Sequence, residues 1–106
     1  MNESRIELLQ KYIDEEPNEP FNHYALANEY MAENPSKALD ILLTLIEQQP
    51  DYLPSYYQAA KLLEDLEEEE KALEVYSSGI ELAKIQGNHK TLNELNSAYQ
   101  NLLFEL

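Results

Sequence analysis

The sequence contains no cysteine, and only two of its 106 residues are glycine. Without cysteine the chain can form neither disulfides nor a thiolate metal site. Turns in β-rich folds often use glycine where the backbone needs a positive φ, so the scarcity of glycine disfavours such a fold. Residues that are easily accommodated in helices, such as alanine, leucine and glutamate, predominate instead. The composition predicts an all-α protein with a single domain over residues 1–106.

Basic residues are also scarce, with 7 lysines and arginines against 21 acidic residues and a formal net charge of −14. This excess disfavours binding to nucleic acid and to anionic membranes. It is explained by a solvated helical surface, or alternatively by selection for a basic partner. The longest apolar stretch, around residues 41–46, is too short to span a membrane. The first residues lack the pattern of a signal peptide, so we expect a cytoplasmic location.

Proline, asparagine and glycine divide the chain into helical segments. All five prolines fall between stretches of helical apolar periodicity. We expect Asn18, Ser36 and Asp51 to be N-caps, and Gly87 followed by Asn88 to end one helix and begin the next. The pattern predicts six helices, over residues 3–16, 19–33, 36–49, 52–66, 68–86 and 89–105. Because the connections between them are short, we expect consecutive helices to pack antiparallel.

The segments repeat along the chain. Pro17 and Pro50 lie in matching surroundings, and the run that begins at Ala38 returns in similar form at Ala72. Small residues in these segments would let the two helices of a unit approach closely. These correspondences lie 33 and 34 residues apart, and a period in this range, with two helices per unit, predicts a helical solenoid.

The repeat resembles the tetratricopeptide repeat, whose signature is W-x2-L-G-x2-Y followed by alanine, an aromatic residue and a closing proline. The resemblance implies a right-handed α–α superhelix with repeats at 20–52 and 53–86, a leading half-repeat helix at 3–16 and a capping helix at 89–105. Leu45 in place of a small residue and Lys84 in place of the closing proline depart from the pattern, as does an inter-helix turn one residue short in the first unit. The residues that match packing positions are His23, Leu26, Ala27, Tyr30, Ala38, Pro50, Tyr56, Ala60, Ala72, Tyr76 and Gly79.

No constellation in the sequence indicates catalysis. The chain has two histidines, of which His23 occupies a packing position, and it has no phosphate-binding glycine loop. The acidic run at 64–70 lacks the spaced ligands and central glycine of a calcium loop. We therefore expect a protein that is not an enzyme and that needs neither a cofactor nor a metal.

Two tyrosines are candidates for binding. Tyr24 and Tyr57 each follow a packing aromatic, which places them about 100° further around the helix. The resemblance implies that this face lines a concave groove that binds an extended or helical segment of another protein. Since Lys61 alone supplies positive charge there, we expect an apolar or basic partner. The groove residues predicted on this basis are Phe21, Tyr24, Asn28, Met31, Tyr57, Lys61 and Glu64.

Two other functions remain open. The helix at 3–16 has no partner helix of its own, and its apolar stripe, which includes Ile6 and Leu8, spans a wide arc. This pattern is also compatible with a structural subunit that forms a homodimer through this helix. An acidic mimic that blocks a nucleic-acid-binding protein is the third hypothesis, and it predicts binding that is lost at high salt.

Overall fold

The computed structural model describes residues 2–106, which form six α-helices and no strand. They group into two compact units: unit 1 ends at Ser55 and unit 2 is Tyr56–Leu106. The all-α helical fold predicted from the composition is confirmed. The single domain and the repeat bounds at 20–52 and 53–86 stay predictions. The helices are α1 Glu3–Glu15, α2 Pro20–Tyr30, α3 Pro35–Gln48, α4 Pro54–Asp65, α5 Glu69–Gln86 and α6 His89–Glu105.

Proline opens three of the helices, α2, α3 and α4. The first helical position suits proline because its backbone nitrogen has no hydrogen to leave unpaired and its φ is already helical. Gly87 ends α5 in the left-handed conformation, with φ of +68°, as the sequence predicted. The side chain of Asn88 then caps α6 by accepting a hydrogen bond from the amide of Thr91.

Three of the predicted N-caps are wrong, among them Asp51, which lies three residues before the first residue of α4, Pro54. The side chain that caps α2 is that of Glu19, not Asn18, and the one that caps α3 is that of Asn34, not Ser36. In both places the helix begins at the proline itself, so the cap is the residue just before it. Helix α2 also ends at Tyr30, earlier than predicted, and α4 begins later, at Pro54.

In unit 1, α2 packs against both α1 and α3. Three polar contacts tie the ends of these helices. His23 Nε2 lies at hydrogen-bonding distance, 2.7 Å, from the carbonyl oxygen of Pro17. Gln49 donates to the carbonyl of Asn18 at 2.7 Å, and Arg5 on α1 pairs with Glu29 on α2 at 2.7 Å. The buried apolar residues of this unit are Ile6, Leu9, Leu26, Ala27, Tyr30, Ala38, Leu39, Leu42, Leu45 and Leu53.

In unit 2, α5 packs against α6. It also approaches α4 closely at Gly79, where an added Cβ atom would lie 2.8 Å from Cβ of Tyr56. Tyr76 on α5 is fully buried, and its ring contacts Tyr57 of α4 edge to face. Among residues 2–106, no helix is both long enough and apolar enough to cross a membrane.

Candidate functional site

Most of the residues matched to packing positions lie in the interior. Nine of the eleven are buried, while His23 is half-buried and Pro50 is exposed. His23 instead holds the turn that precedes α2, through its bond to Pro17. The small residues Ala27, Ala38, Ala60 and Ala72 have no exposed surface.

The candidate surface on unit 1 lies on α2. Phe21 is 57% exposed, Asn28 is exposed, and Tyr24 and Met31 are half-buried, with Met31 just past the last residue of the helix. The ring of Tyr24 packs edge to face against Tyr52, with centroids 6.0 Å apart. Tyr24 therefore has a packing role in addition to the binding role that the sequence analysis predicts for it.

Tyr52 lies in the connection between α3 and α4. Burial, and to a lesser extent the neighbouring Tyr24 and Glu19, raise the pKa of its hydroxyl above the ordinary value. Desolvation disfavours the charged form of a phenol, so this ring stays neutral beside Tyr24. The hydroxyl of Tyr52 therefore adds no charge to the surface.

The candidate surface on unit 2 is a cavity of about 510 Å³. All three groove residues predicted on α4, which are Tyr57, Lys61 and Glu64, line this cavity. Helix α6 supplies the opposite wall, which is mainly polar. The residues of that wall are Asn93, Glu94, Ser97, Ala98, Asn101 and Glu105.

A hydrogen bond beneath this cavity fixes the carboxylate of Glu64. The hydroxyl of the buried Tyr76 donates to Glu64 Oε2. Burial, and then the bond to Glu64, raise the pKa of Tyr76 far above its ordinary value, so the hydroxyl keeps its proton. Lys61 Nζ lies 3.9 Å from the same Glu64 oxygen, a long contact between partly exposed groups.

The contribution of α6 is the main feature that the sequence analysis missed, because it treated residues 89–105 only as a cap. The signal was present: Asn93, Ser97 and Asn101 recur at every fourth position, which places them on one face of a helix. That face lies apart from the buried Leu95 and Leu102. The pattern alone does not reveal which helix stands opposite.

A second cavity, of about 350 Å³, lies on unit 1 between α2 and α3 and was not predicted either. Its apolar part consists of Ile41 and Leu45, and the rest is polar: His23, Lys37, Asp40, Thr44, Gln48 and Gln49. No group of three histidine, aspartate or glutamate side chains among residues 2–106 is placed to hold a metal ion.

No protein-family model matches the chain, and none of the curated proteins is similar to it. Solved structures do match. A tetratricopeptide repeat domain protein from Salinibacter ruber, solved by NMR, has a TM-score of 0.78 and 40% sequence identity, over 82% of this chain and 89% of that one. A crystal structure of a tetratricopeptide repeat domain protein from Salinibacter ruber has a TM-score of 0.77 and 40% identity, over 80% and 96%.

A protein from Bordetella parapertussis has a TM-score of 0.79 over 94% of this chain and 88% of that chain. It is 20% identical, so it supports the fold alone. The similarity to the Salinibacter domains extends over most of both chains. The chain belongs to the tetratricopeptide repeat family.

Proposed function

We propose that the protein is a non-catalytic interaction module that binds a peptide or protein segment on the exposed faces of α2 and α4, as a scaffold or assembly adaptor. Its fold points to protein–protein interaction. The proposed location is the cytoplasm. The observation that carries the proposal is the cavity in unit 2, which Tyr57, Lys61 and Glu64 line together with the polar face of α6.

The lining of this cavity suits a peptide. Its volume of about 510 Å³ falls within the usual size of ligand pockets, roughly 300–1,000 Å³. The amides of Asn93 and Asn101 can donate to and accept from a peptide backbone, as each carries both kinds of group. Tyr57 adds an aromatic ring for apolar contact.

The unit 1 surface is a separate contact face in this proposal. Phe21 and Tyr24 offer aromatic area there, and the exposed Asn28 offers an amide. Exposed aromatic residues are common anchors at protein interfaces, because they bury a large area with little loss of rotamer freedom. We propose that an apolar or basic partner engages either or both of these faces.

The test is a selection of random dodecapeptides displayed on phage against the full chain, followed by affinity measurement with the most enriched peptide. We expect the double variant Tyr24→Ala with Tyr57→Ala to bind about tenfold more weakly, since it removes the aromatic anchor of whichever face the peptide uses, a loss of about 1.4 kcal/mol. Phe104→Ala is the control, because Phe104 is a 94% exposed aromatic residue that lies outside both faces and outside α1.

Both tyrosines also pack against other rings, so the double variant must be shown to fold by circular dichroism. Asn101→Trp is a second test variant, and it removes no buried side chain. The added indole would occupy the cavity and weaken binding. Unchanged affinity in both variants would contradict the proposal.

Self-association through α1 is a second candidate function, and the exposed apolar residues of this helix favour it. Ile6 and Leu9 on this helix are buried, whereas Leu8 is 46% exposed and Tyr12 41% exposed. The two exposed residues are four positions apart and so share one face. Light scattering over a range of concentrations tests this: we expect the mass of a dimer, and a monomer for Leu8→Glu with Tyr12→Glu. A monomer mass for the unchanged chain at every concentration would exclude it.

A further inference from the structure

We propose that Glu64 is the specificity-determining residue of the unit 2 cavity, and that it selects a segment offering a lysine or arginine side chain. This inference rests on the proposed function and adds the chemistry of the ligand. Glu64 lies on α4 with its side chain 20% exposed, so it reaches the cavity while most of its surface is covered.

The carboxylate of Glu64 is held in place before any ligand arrives. Tyr76, whose side chain has no exposed surface, donates its hydroxyl to Glu64 Oε2. The ring of Tyr76 is fixed in turn by edge-to-face packing against Tyr57, with centroids 6.4 Å apart. A side chain that is already ordered loses little rotamer freedom on binding, which favours affinity.

The charges around the cavity favour a cation. Three carboxylates, those of Glu64, Glu94 and Glu105, line it with a single ammonium group, that of Lys61. The contact of Lys61 with Glu64 is long, at 3.9 Å, and the lysine side chain is 45% exposed. Such a pair contributes little and is readily exchanged for another cation. The ring of Tyr57 lines the same cavity and offers a second favourable surface to a lysine or arginine side chain.

The first repeat shows that the fold does not require this polar pair. Where the second repeat has Glu64 and Tyr76, the matching positions of the first repeat hold Met31 and Leu42. Leu42 is fully buried, so a leucine meets the packing need that Tyr76 meets in unit 2. The hydroxyl and the carboxylate occur together in one repeat and are both absent from the other, as expected if they serve the cavity of unit 2.

The test uses the same phage-displayed dodecapeptides, selected in parallel against the unchanged chain and Glu64→Gln. We expect the unchanged chain to enrich lysine and arginine above their frequency in the starting library. The most enriched peptide is then synthesised, along with a version in which glutamine replaces its basic residue. We expect either substitution, in the chain or in the peptide, to weaken binding about tenfold, and the two together to weaken it little further.

Glu47→Gln is the matched control, because it makes the same charge change at an exposed position of α3, outside the cavity. If no peptide is enriched on the unchanged chain, the proposed function fails and this inference with it. If the enriched peptides depend on Tyr57 but lack basic residues, or bind Glu64→Gln unchanged, this inference is wrong and the proposed function stands.

Tyr76 is a positioning residue in this proposal, and Tyr76→Phe isolates its hydroxyl while keeping its ring. The measured quantity is the ratio of the affinities for the basic peptide and its glutamine version. We expect this ratio to fall at least about threefold in Tyr76→Phe, as one hydrogen bond to a charged group is lost. A purely structural role would weaken both peptides alike, and an unchanged ratio would overturn the role given to Tyr76.

Discussion

The two helix pairs α2–α3 and α4–α5 follow one repeat pattern but fill their interiors differently. Gly79 on α5 lies in close contact with Tyr56 of α4, and the matching position of the first repeat is Leu45. Leu45 is only 4% exposed, so unit 1 accommodates a large side chain where unit 2 has none. The repeat pattern therefore fixes that this position is buried, while the size of the side chain there differs between the two repeats.

The two repeats also differ in the residues that connect the interior to the surface. In unit 2, the buried Tyr76 reaches Glu64 with a hydrogen bond, while the matching residues of unit 1, Leu42 and Met31, have no such groups. A glycine at the helix contact thus accompanies a polar pair in one repeat, and a leucine at the matching position accompanies an apolar pair in the other. Substitutions at these positions test how much the packing of apolar side chains and the hydrogen bond of Tyr76 each contribute to the free energy of unfolding.

The largest effect is expected for Leu45→Ala. The residue is almost fully buried, so its truncation leaves a cavity, and we expect the free energy of unfolding to fall by about 3 kcal/mol. Urea unfolding followed by circular dichroism measures this. Leu43→Ala is the control, because Leu43 lies on the same helix and is 37% exposed. Equal losses in the two variants would show that Leu45 does not fill the interior of unit 1.

Gly79→Ala should also lower the free energy of unfolding, but by overfilling the helix contact rather than by leaving a cavity. The new Cβ would lie 2.8 Å from Cβ of Tyr56 and 3.1 Å from a methyl carbon of Leu95, so a helix must shift. We expect a loss of about 2 kcal/mol despite the better helix propensity of alanine. Ser78→Ala, at an exposed position beside it, gives the propensity effect alone. A variant more stable than the unchanged chain would show that the contact at Gly79 is not tight.

Much of this fold was predictable because its local signals are strong. Prolines can occupy the first helical position at little cost, and Pro20, Pro35 and Pro54 do so. Gly87 ends α5 because glycine adopts a positive φ readily. The caps were harder, since Asn18 and Asn34 are the same residue type and only Asn34 directly precedes the proline that opens its helix.

The candidate site was predictable only in part, because a cavity depends on two helices. Tyr57, Lys61 and Glu64 could be placed on one face of α4 by helical spacing. Nothing in that spacing identifies α6 as the opposite wall, and nothing reveals that Tyr76, matched to a packing position, donates to Glu64. That contact joins residues 12 positions apart on different helices.

Tyr76→Phe tests the polar pair itself. We expect a loss of about 1.5 kcal/mol in the free energy of unfolding, because the carboxylate of Glu64 loses a donor while the ring remains to fill the space. Tyr99→Phe is the control, as a half-buried tyrosine of unit 2 on another helix. A loss no larger than that of the control would show that the bond contributes nothing to stability.

The same variant has a pH-dependent signature. The pKa of Tyr76 is raised above its ordinary value of 10.0, so the unfolded chain releases this proton at lower pH than the folded chain does. The stability that this shift contributes is therefore fully present below about pH 10 and falls as the pH rises beyond it. The pKa of Tyr52 is also raised, so Tyr52 contributes a decline in stability at high pH to both the unchanged chain and Tyr76→Phe. We expect a shallower decline for Tyr76→Phe in urea unfolding series at increasing pH, and identical slopes would contradict the shift.

The smallest expected change in the free energy of unfolding is an increase, in Ser55→Ala. Ser55 is fully buried, and its hydroxyl has no hydrogen-bond partner among residues 2–106, whereas the matching residue of the first repeat, Asn22, is half-buried. Removing an unpaired buried hydroxyl should raise the free energy of unfolding by about 1 kcal/mol in Ser55→Ala. Ser36→Ala is a close control: Ser36 also follows a proline that opens a helix, yet it is exposed, so it reports only the helix propensity of alanine. A gain in Ser55→Ala that does not exceed the gain in Ser36→Ala would mean that the hydroxyl of Ser55 forms a hydrogen bond in solution, as the buried hydroxyl of Tyr76 does with Glu64.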